Sequence, residues 1–227
     1  MHVVVGLGEV GLALTLLFKC NGEDKFKNIS LISKKYTFLH IAFPWTKNFI
    51  EQVKEYQSKF DPTYTIIHST VPLGVSKKCN ANHSPVRGVH PNILEGLKTF
   101  VKFIGGPNYL EISQEFNKFG IKTYCTNNSN NTEALKLWDT TQYGVLIELN
   151  KEIHEFCTNN DLDFNMVYTE ANRTYNEGYS ALNRPEVVRP YLNYDSGKIG
   201  GHCVIPNSKL FSSESTKLII KKDKKRK

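Results

Sequence analysis

Short apolar runs alternate with helical patterns through the first hundred residues. His2–Val5, Phe38–Phe43, Thr65–His68 and Pro85–Val89 each read as a buried parallel strand. Between them, Leu12–Cys20 and Asn48–Lys59 place their apolar residues at helical spacing. This alternation predicts an α/β fold, a Rossmann-like doubly wound parallel sheet, over residues 1–106. Gly105-Gly106-Pro107 then breaks the chain, followed by a predicted helix at Leu110–Phe119 and a further strand at Ile121–Cys125. The Asn- and Ser-rich stretch Thr126–Thr132 reads as a loop that ends in an N-cap at Thr132. Beyond it Leu135, Trp138, Leu146, Leu149, Ile153 and Phe156 recur at helical spacing. They predict a helix of about six turns from Glu133 to Cys157, the spine of a mainly helical second domain over residues 107–210. Its length and apolar stripe suit a homodimer.

One turn in this pattern carries chemistry. Val3-Val4-Val5-Gly6-Leu7-Gly8-Glu9-Val10-Gly11 is a strand, a GxGxxG turn and a helix start. In such a turn the first glycine makes the tight bend, the second lets backbone approach a pyrophosphate, and the third lets helix and strand pack closely. The helix N-terminus supplies N–H donors and the positive end of its dipole. Gly6, Leu7, Gly8, Glu9, Val10 and Gly11 are therefore candidate cofactor contacts, with NAD or NADP as the expected cofactor. The acid that should end the second strand is missing from the segment read as that strand, Ile29-Ser30-Leu31-Ile32-Ser33-Lys34-Lys35. Ser33 is the polar stand-in there, and Lys34 and Lys35 would favour a 2′-phosphate. Only about five residues separate this strand from Phe38, too few for a helical crossover of a dozen or more.

Composition narrows the class. The 227 residues are 40% apolar and 11% aromatic, enough for a real core. No stretch approaches the ~20 apolar residues of a membrane span. The five cysteines are scattered and form no CxxC pair, which argues against a zinc ribbon or a disulfide framework and for a reducing cytoplasm. No metal is expected. The net charge of +7 is concentrated at the end, where residues 217–227 hold seven Lys/Arg and one Asp. Residues 211–227 thus read as a solvated, disordered basic tail, and nucleic acid is not an expected partner.

Several further blocks, in order, resemble the nucleotide-sugar dehydrogenases, the family of UDP-glucose, GDP-mannose and UDP-N-acetylmannosamine dehydrogenases. Gly6-Leu7-Gly8-Glu9-Val10-Gly11-Leu12 resembles the family's GLGYVGL, and Ser69-Thr70-Val71-Pro72-Leu73-Gly74 its STVPPGT. Thr132-Glu133-Ala134-Leu135-Lys136 resembles AELxK, and Gly200-Gly201-His202-Cys203-Val204-Ile205-Pro206 the nucleophile loop GGHCIPVDP. The resemblance spans roughly residues 1–210. It implies oxidation of an alcohol on a sugar-like substrate, with an aldehyde captured by a cysteine thiolate. Cys203 would be the nucleophile, beside His202, and Lys136 the oxyanion or acid–base group. Thr70 would position a water or the cofactor, and Pro44 and Ser69 would join the cofactor contacts. The family continues beyond the cysteine loop into a nucleotide-binding domain, whereas about twenty-four residues follow Cys203 here.

The departures are specific. The family's asparagine four residues after the lysine is Thr140, and its aspartate four residues after the cysteine is Asn207. The glutamate of its SPE segment has no equivalent at Ser84-Pro85-Val86 or His90-Pro91-Asn92. These losses keep a second reading open, a catalytically lapsed Rossmann protein that binds a ligand or partner in the old cleft. A third rests on Gly88-Val89-His90-Pro91-Asn92, which resembles the GxHPM segment of prephenate dehydrogenases and makes His90 a rival catalytic group.

Overall fold

The computed structural model describes residues 1–25, the backbone of 28–29, and residues 35–88, 91–201 and 203–226. Two compact units divide the chain, residues 1–137 and 138–227.

The first unit is built on an eight-stranded sheet. Its strands are β1 (His2–Val5), β2 (Asn21–Glu23), β3 (Asn28–Ile29), β4 (Phe38–Ile41), β5 (Tyr64–Ile67), β6 (Asn82–His83), β7 (Lys102–Gly105) and β8 (Thr123–Thr126). The spatial order is β3-β2-β1-β4-β5-β6-β7-β8. From β2 through β6 every neighbour is parallel, while β3 and the β7–β8 pair run the other way. Helices α1 (Glu9–Phe18), α2 (Phe49–Phe60), α3 (Val75–Lys78), α4 (Ile93–Thr99) and α5 (Tyr109–Lys118) cover the sheet. One core packs α1, α4 and α5 on Val4, Phe38 and Ile66, and the other packs α2 on Val3, Val5, Leu39 and Ile41. Adjacent strand residues thus point to opposite faces, as a doubly wound sheet demands.

The strand at the centre of the first expectation lies elsewhere. The parallel partner of β1 is β2 at Asn21–Glu23, reached from α1 through Lys19 in the left-handed conformation (φ 47°). Ile29 belongs to β3, a short antiparallel strand beside it, and Ser30–Lys34 lie outside the described residues. Asn-Gly-Glu carries no apolar run because its middle residue has no room for a side chain. A Cβ on Gly22 would stand 2.4 Å from the Leu7 side chain. The β1-α1-β2 crossover is therefore of ordinary length, and β3 pairs antiparallel with β2.

Other boundaries also move. The run expected as a strand at Pro85–Val89 is irregular through Gly88, and the strand there is β6, two residues upstream of the run. Gly105 and Gly106 end β7 where α6 (Ser129–Asn159) begins, and a Cβ on Gly105 would meet Thr132 Oγ1 at 2.7 Å. The glycines permit a close approach, so the first unit continues past 106 to Leu137. Helix α6 starts at Ser129, so Thr132 is inside its first turn and not the cap.

The second unit holds most of α6, a π-helical turn at Asn165–Glu170, α7 (Ala171–Ala181), α8 (Val204–Ser208) and α9 (Glu214–Lys225). Where a solvated tail was expected, α9 is a capped helix, with Ser213 and Thr216 forming a reciprocal capping box. Ile219 is fully buried against Ile199 and Val204, and Arg226 pairs with Glu148 at 2.9 Å. The charge run is one face of an amphipathic helix whose apolar positions sit between the lysines. Among the described residues no helix is long and apolar enough to cross a membrane.

Candidate functional site

The glycine turn forms as its residue types require. Gly6 has φ +91°, and a Cβ there would stand 2.6 Å from the Phe43 nitrogen, where the ends of β1 and β4 converge. Gly11 sits under the turn, with its would-be Cβ 1.7 Å from the Gly6 carbonyl oxygen. Gly8, the N-cap of α1, has nothing within 4 Å of a would-be Cβ. Backbone is thus bare where a phosphate would approach and blocked where helix meets strand. Glu9 is exposed in the first turn of α1, whereas Val10 packs partly into the core.

An acid does end the second strand. Asp24 follows β2 directly, and its Oδ2 accepts the Leu7 N–H at 2.7 Å. Leu7, expected among the cofactor contacts, commits its amide to this carboxylate and buries its side chain. Asp24, Val5, Gly6, Pro44, Thr46 and Tyr56 are among the residues lining a cleft of about 300 Å³ at the C-terminal ends of β1, β2 and β4. Chain order reverses there, since β2 lies on one side of β1 and β4 on the other. That is the crevice in which open α/β sheets bind ligands.

Ser69 and Thr70 follow β5, one strand further along. Ser69 Oγ donates to the Phe43 carbonyl at 2.5 Å, tying this loop to the cleft wall. Two residues with no assigned role in the sequence brace the same loop. His83 donates its Nε2–H to the Ser69 carbonyl at 3.1 Å and accepts from Thr132 Oγ1 at Nδ1, 2.9 Å away. Burial pushes its pKa down to about 3, so the ring is neutral, as that bonding pattern requires. Glu133, fully buried, accepts the Gly74 N–H at 2.6 Å and the Ser76 N–H at 2.8 Å. Burial raises its pKa, and the two N–H bonds oppose the rise. Lys136 stands half-buried one turn further along α6.

In the second unit Cys203 is half-buried and directly precedes α8, whose Asn207 N–H returns to the Cys203 carbonyl at 3.0 Å. Helix α8 is seated on α6 at Gly144, where a Cβ would stand 2.7 Å from Val204. Thr140, one turn earlier, is buried. The Ile199 N–H before the cysteine loop is held by Asp223 of α9 at 2.7 Å. Ser33, His90 and His202 lie outside the described residues. Among the described residues no group of side chains has the makings of a metal site.

The class that this architecture defines is that of the Rossmann-like, doubly wound α/β folds. No family model matches the chain, and no curated protein matches it by sequence. Among solved structures it is similar to a UDP-D-ManNAc dehydrogenase from Pyrococcus horikoshii, at TM-score 0.77 and 15% identity over 99% of this chain and 68% of that one. A UDP-N-acetyl-mannosamine dehydrogenase from Staphylococcus aureus follows at TM-score 0.69 and 16% identity, over 98% and 67%. The 3-hydroxyisobutyrate dehydrogenase of Mycobacterium tuberculosis, solved with L-serine, gives TM-score 0.70 and 12% identity over 97% and 91%. At these identities the likeness is one of fold.

Proposed function

We propose that the protein is an NAD(P)-dependent oxidoreductase that oxidises an alcohol on a hydroxylated, sugar-like substrate. The observation that carries this reading is the Asp24 carboxylate on the Leu7 amide, an acid at the end of the second strand beside a bare glycine turn, as ribose recognition would need. The residues fit a dinucleotide. Gly6, Gly8 and the start of α1 would hold the pyrophosphate, Asp24 the adenosine ribose hydroxyls, and Pro44 and Ser69 the wall beyond. A carboxylate repels a 2′-phosphate, so Asp24 favours NAD over NADP. When bound, the dinucleotide supplies the hydride acceptor.

The roles of the remaining residues come from the family resemblance. Cys203 supplies a thiolate that adds to the aldehyde carbon, and Lys136 the cation that stabilises an oxyanion. Thr70 positions water or cofactor, and Thr140 and Asn207 replace the family's amide and acid with neutral groups. All five cysteines are free, which suits a reducing cytoplasm. Trp138, Leu149 and Phe156 are about half exposed on α6 and spaced by whole turns, a stripe that suits burial against a second copy of the chain.

Fluorescence titration with NADH and NADPH tests the core of this reading. NADH is expected to bind more tightly than NADPH. Binding of neither at millimolar concentration would overturn the enzyme and leave the lapsed-cleft protein. With binding established, Cys203→Ala is expected to abolish turnover of candidate sugars while leaving cofactor affinity intact.

A further inference from the structure

Three histidines on three neighbouring strands form a continuous chain through the first core. His2 lies on β1 and His40 on β4, and His68 follows β5. The parallel registers Val4↔His40 and His40↔Ile66 put them on one face of the sheet, because side chains alternate along each strand. Adjacent ring centroids are 5.2 Å apart in both pairs, close to the spacing of the strands themselves. Glu115 Oε1 meets His2 Nε2 at 3.0 Å. His2 Nδ1 meets His40 Nε2 at 2.9 Å, and His40 Nδ1 meets His68 Nε2 at 2.9 Å. His68 Nδ1 meets the Ser84 carbonyl oxygen at 2.9 Å. All six ring nitrogens are engaged.

The two ends of this chain decide its proton content. A backbone carbonyl only accepts hydrogen bonds, and so does an ionised carboxylate. Four contacts therefore need four protons, whereas three neutral imidazoles supply three. With three, wherever they are placed, one contact sets two lone pairs against each other inside the core, and a buried contact of that kind is costly. With a fourth proton every contact is satisfied in one direction. His2 then donates to both Glu115 and His40, His40 donates to His68, and His68 donates to Ser84.

We propose that His2, His40 and His68 form a single proton-binding site that holds one proton beyond the three of the neutral rings, with the charge resting on His2 against Glu115. The charged and titratable groups around the chain favour that end. Among the described residues Glu115 is the one carboxylate facing it, and Lys118 at 2.7 Å and His2 lower its pKa against the burial that raises it. Burial first, then the Met1 amino group and Lys118, lower the His2 pKa below its ordinary value against the pull of Glu115. The charge on His2 therefore rests on the four-contact geometry and on the Glu115 carboxylate. At the inner end Lys102 and His83 oppose a charge on His68, and burial keeps His40 and His68 neutral. Lys102 Nζ donates to the Ser84 and Pro85 carbonyls, both at 2.8 Å. Burial drives its pKa well down. Aromatic faces flank the charged end. Phe18 stacks on His2 at 4.5 Å and on His40 at 4.6 Å, and Phe38 stacks on His2 at 4.8 Å, within cation–π range. The site links three strands and α5 through one shared proton.

Histidine ¹⁵N NMR on the full chain at pH 7 counts the protons directly. The expected pattern is one doubly protonated ring, His2, beside singly protonated His40 and His68. Glu115→Gln supplies the missing donor, because its amide N–H points at His2 Nε2 in place of an acceptor. In that variant the doubly protonated ring is expected to disappear, with four contacts still made by three ring protons and one amide proton. Three singly protonated rings in the wild type at pH 7 would overturn the proposal, as would a doubly protonated ring that persists in Glu115→Gln. Should that variant not fold, the wild-type count alone decides.

Discussion

The Asp24 carboxylate accepts the Leu7 amide proton at 2.7 Å, joining the tip of the second strand to the glycine turn. On the proposed reading this bond marks the adenosine end of the cleft, and it ties the glycine turn to an acid that the apolar pattern did not reveal. Removing the acid should therefore act on cofactor binding. Asp24→Ala is expected to weaken NADH by about 10- to 100-fold, the worth of one or two charge-assisted hydrogen bonds. NADPH should weaken less, and paired fluorescence titrations check the difference.

The glycines of the turn separate folding from binding. A methyl on Gly11 collides with the Gly6 carbonyl, so Gly11→Ala should cost about 3 kcal/mol or more in urea unfolding. Gly8 has φ −69° and open space at its Cβ. Gly8→Ala should keep stability within about 0.5 kcal/mol while lowering dinucleotide affinity, because the methyl stands where phosphate would approach.

Glu133 braces the loop after Thr70 with two bonds that only a carboxylate can accept together. Glu133→Gln turns an N–H toward an N–H donor and leaves a buried amide unsatisfied. The expected loss is about 1–3 kcal/mol, read as a lower denaturant midpoint.

Acid should weaken the fold at a pH set by buried histidines. Burial holds the folded-state pKa of His40, His68 and His83 below the ordinary 6.5, with His83 near 3. Below about pH 6.5 the unfolded chain binds protons that the folded chain refuses. The stability contributed by keeping these three rings neutral is thus complete above that pH and falls as pH drops. The slope is about 1.4 kcal/mol per pH unit for each ring, or about 4 for the three. Denaturant midpoints at pH 7, 6 and 5 measure it.

Arg226 closes the second unit against Glu148, a carboxylate whose side chain is 2% exposed. Arg226→Ala leaves that charge buried without its cation and should cost about 3–5 kcal/mol. Lys217→Ala, whose partner Glu214 is exposed, should change stability by no more than about 0.5 kcal/mol. Thermal unfolding of the two variants separates a structural helix from a solvated tail.

The sequence by itself determined the parts that rest on local pattern. Alternating apolar strands, the Gly6-Gly8-Gly11 turn and the periodic helix after Thr132 are visible because burial and backbone freedom dictate residue type at each position. Tertiary structure alone decided the rest. Strand β2 is Asn-Gly-Glu because Leu7 packs where a side chain would be, so no apolar run announces it and Asp24 could not be found by counting hydrophobic residues. His83 and Glu133 act through partners 14 to 59 residues away, and the lysines of α9 read as a tail until Ile219 is seen in its core. The histidine chain is the extreme case. Single histidines at 2, 40 and 68 carry no signal in the sequence, and only parallel pairing at one register brings six ring nitrogens into line.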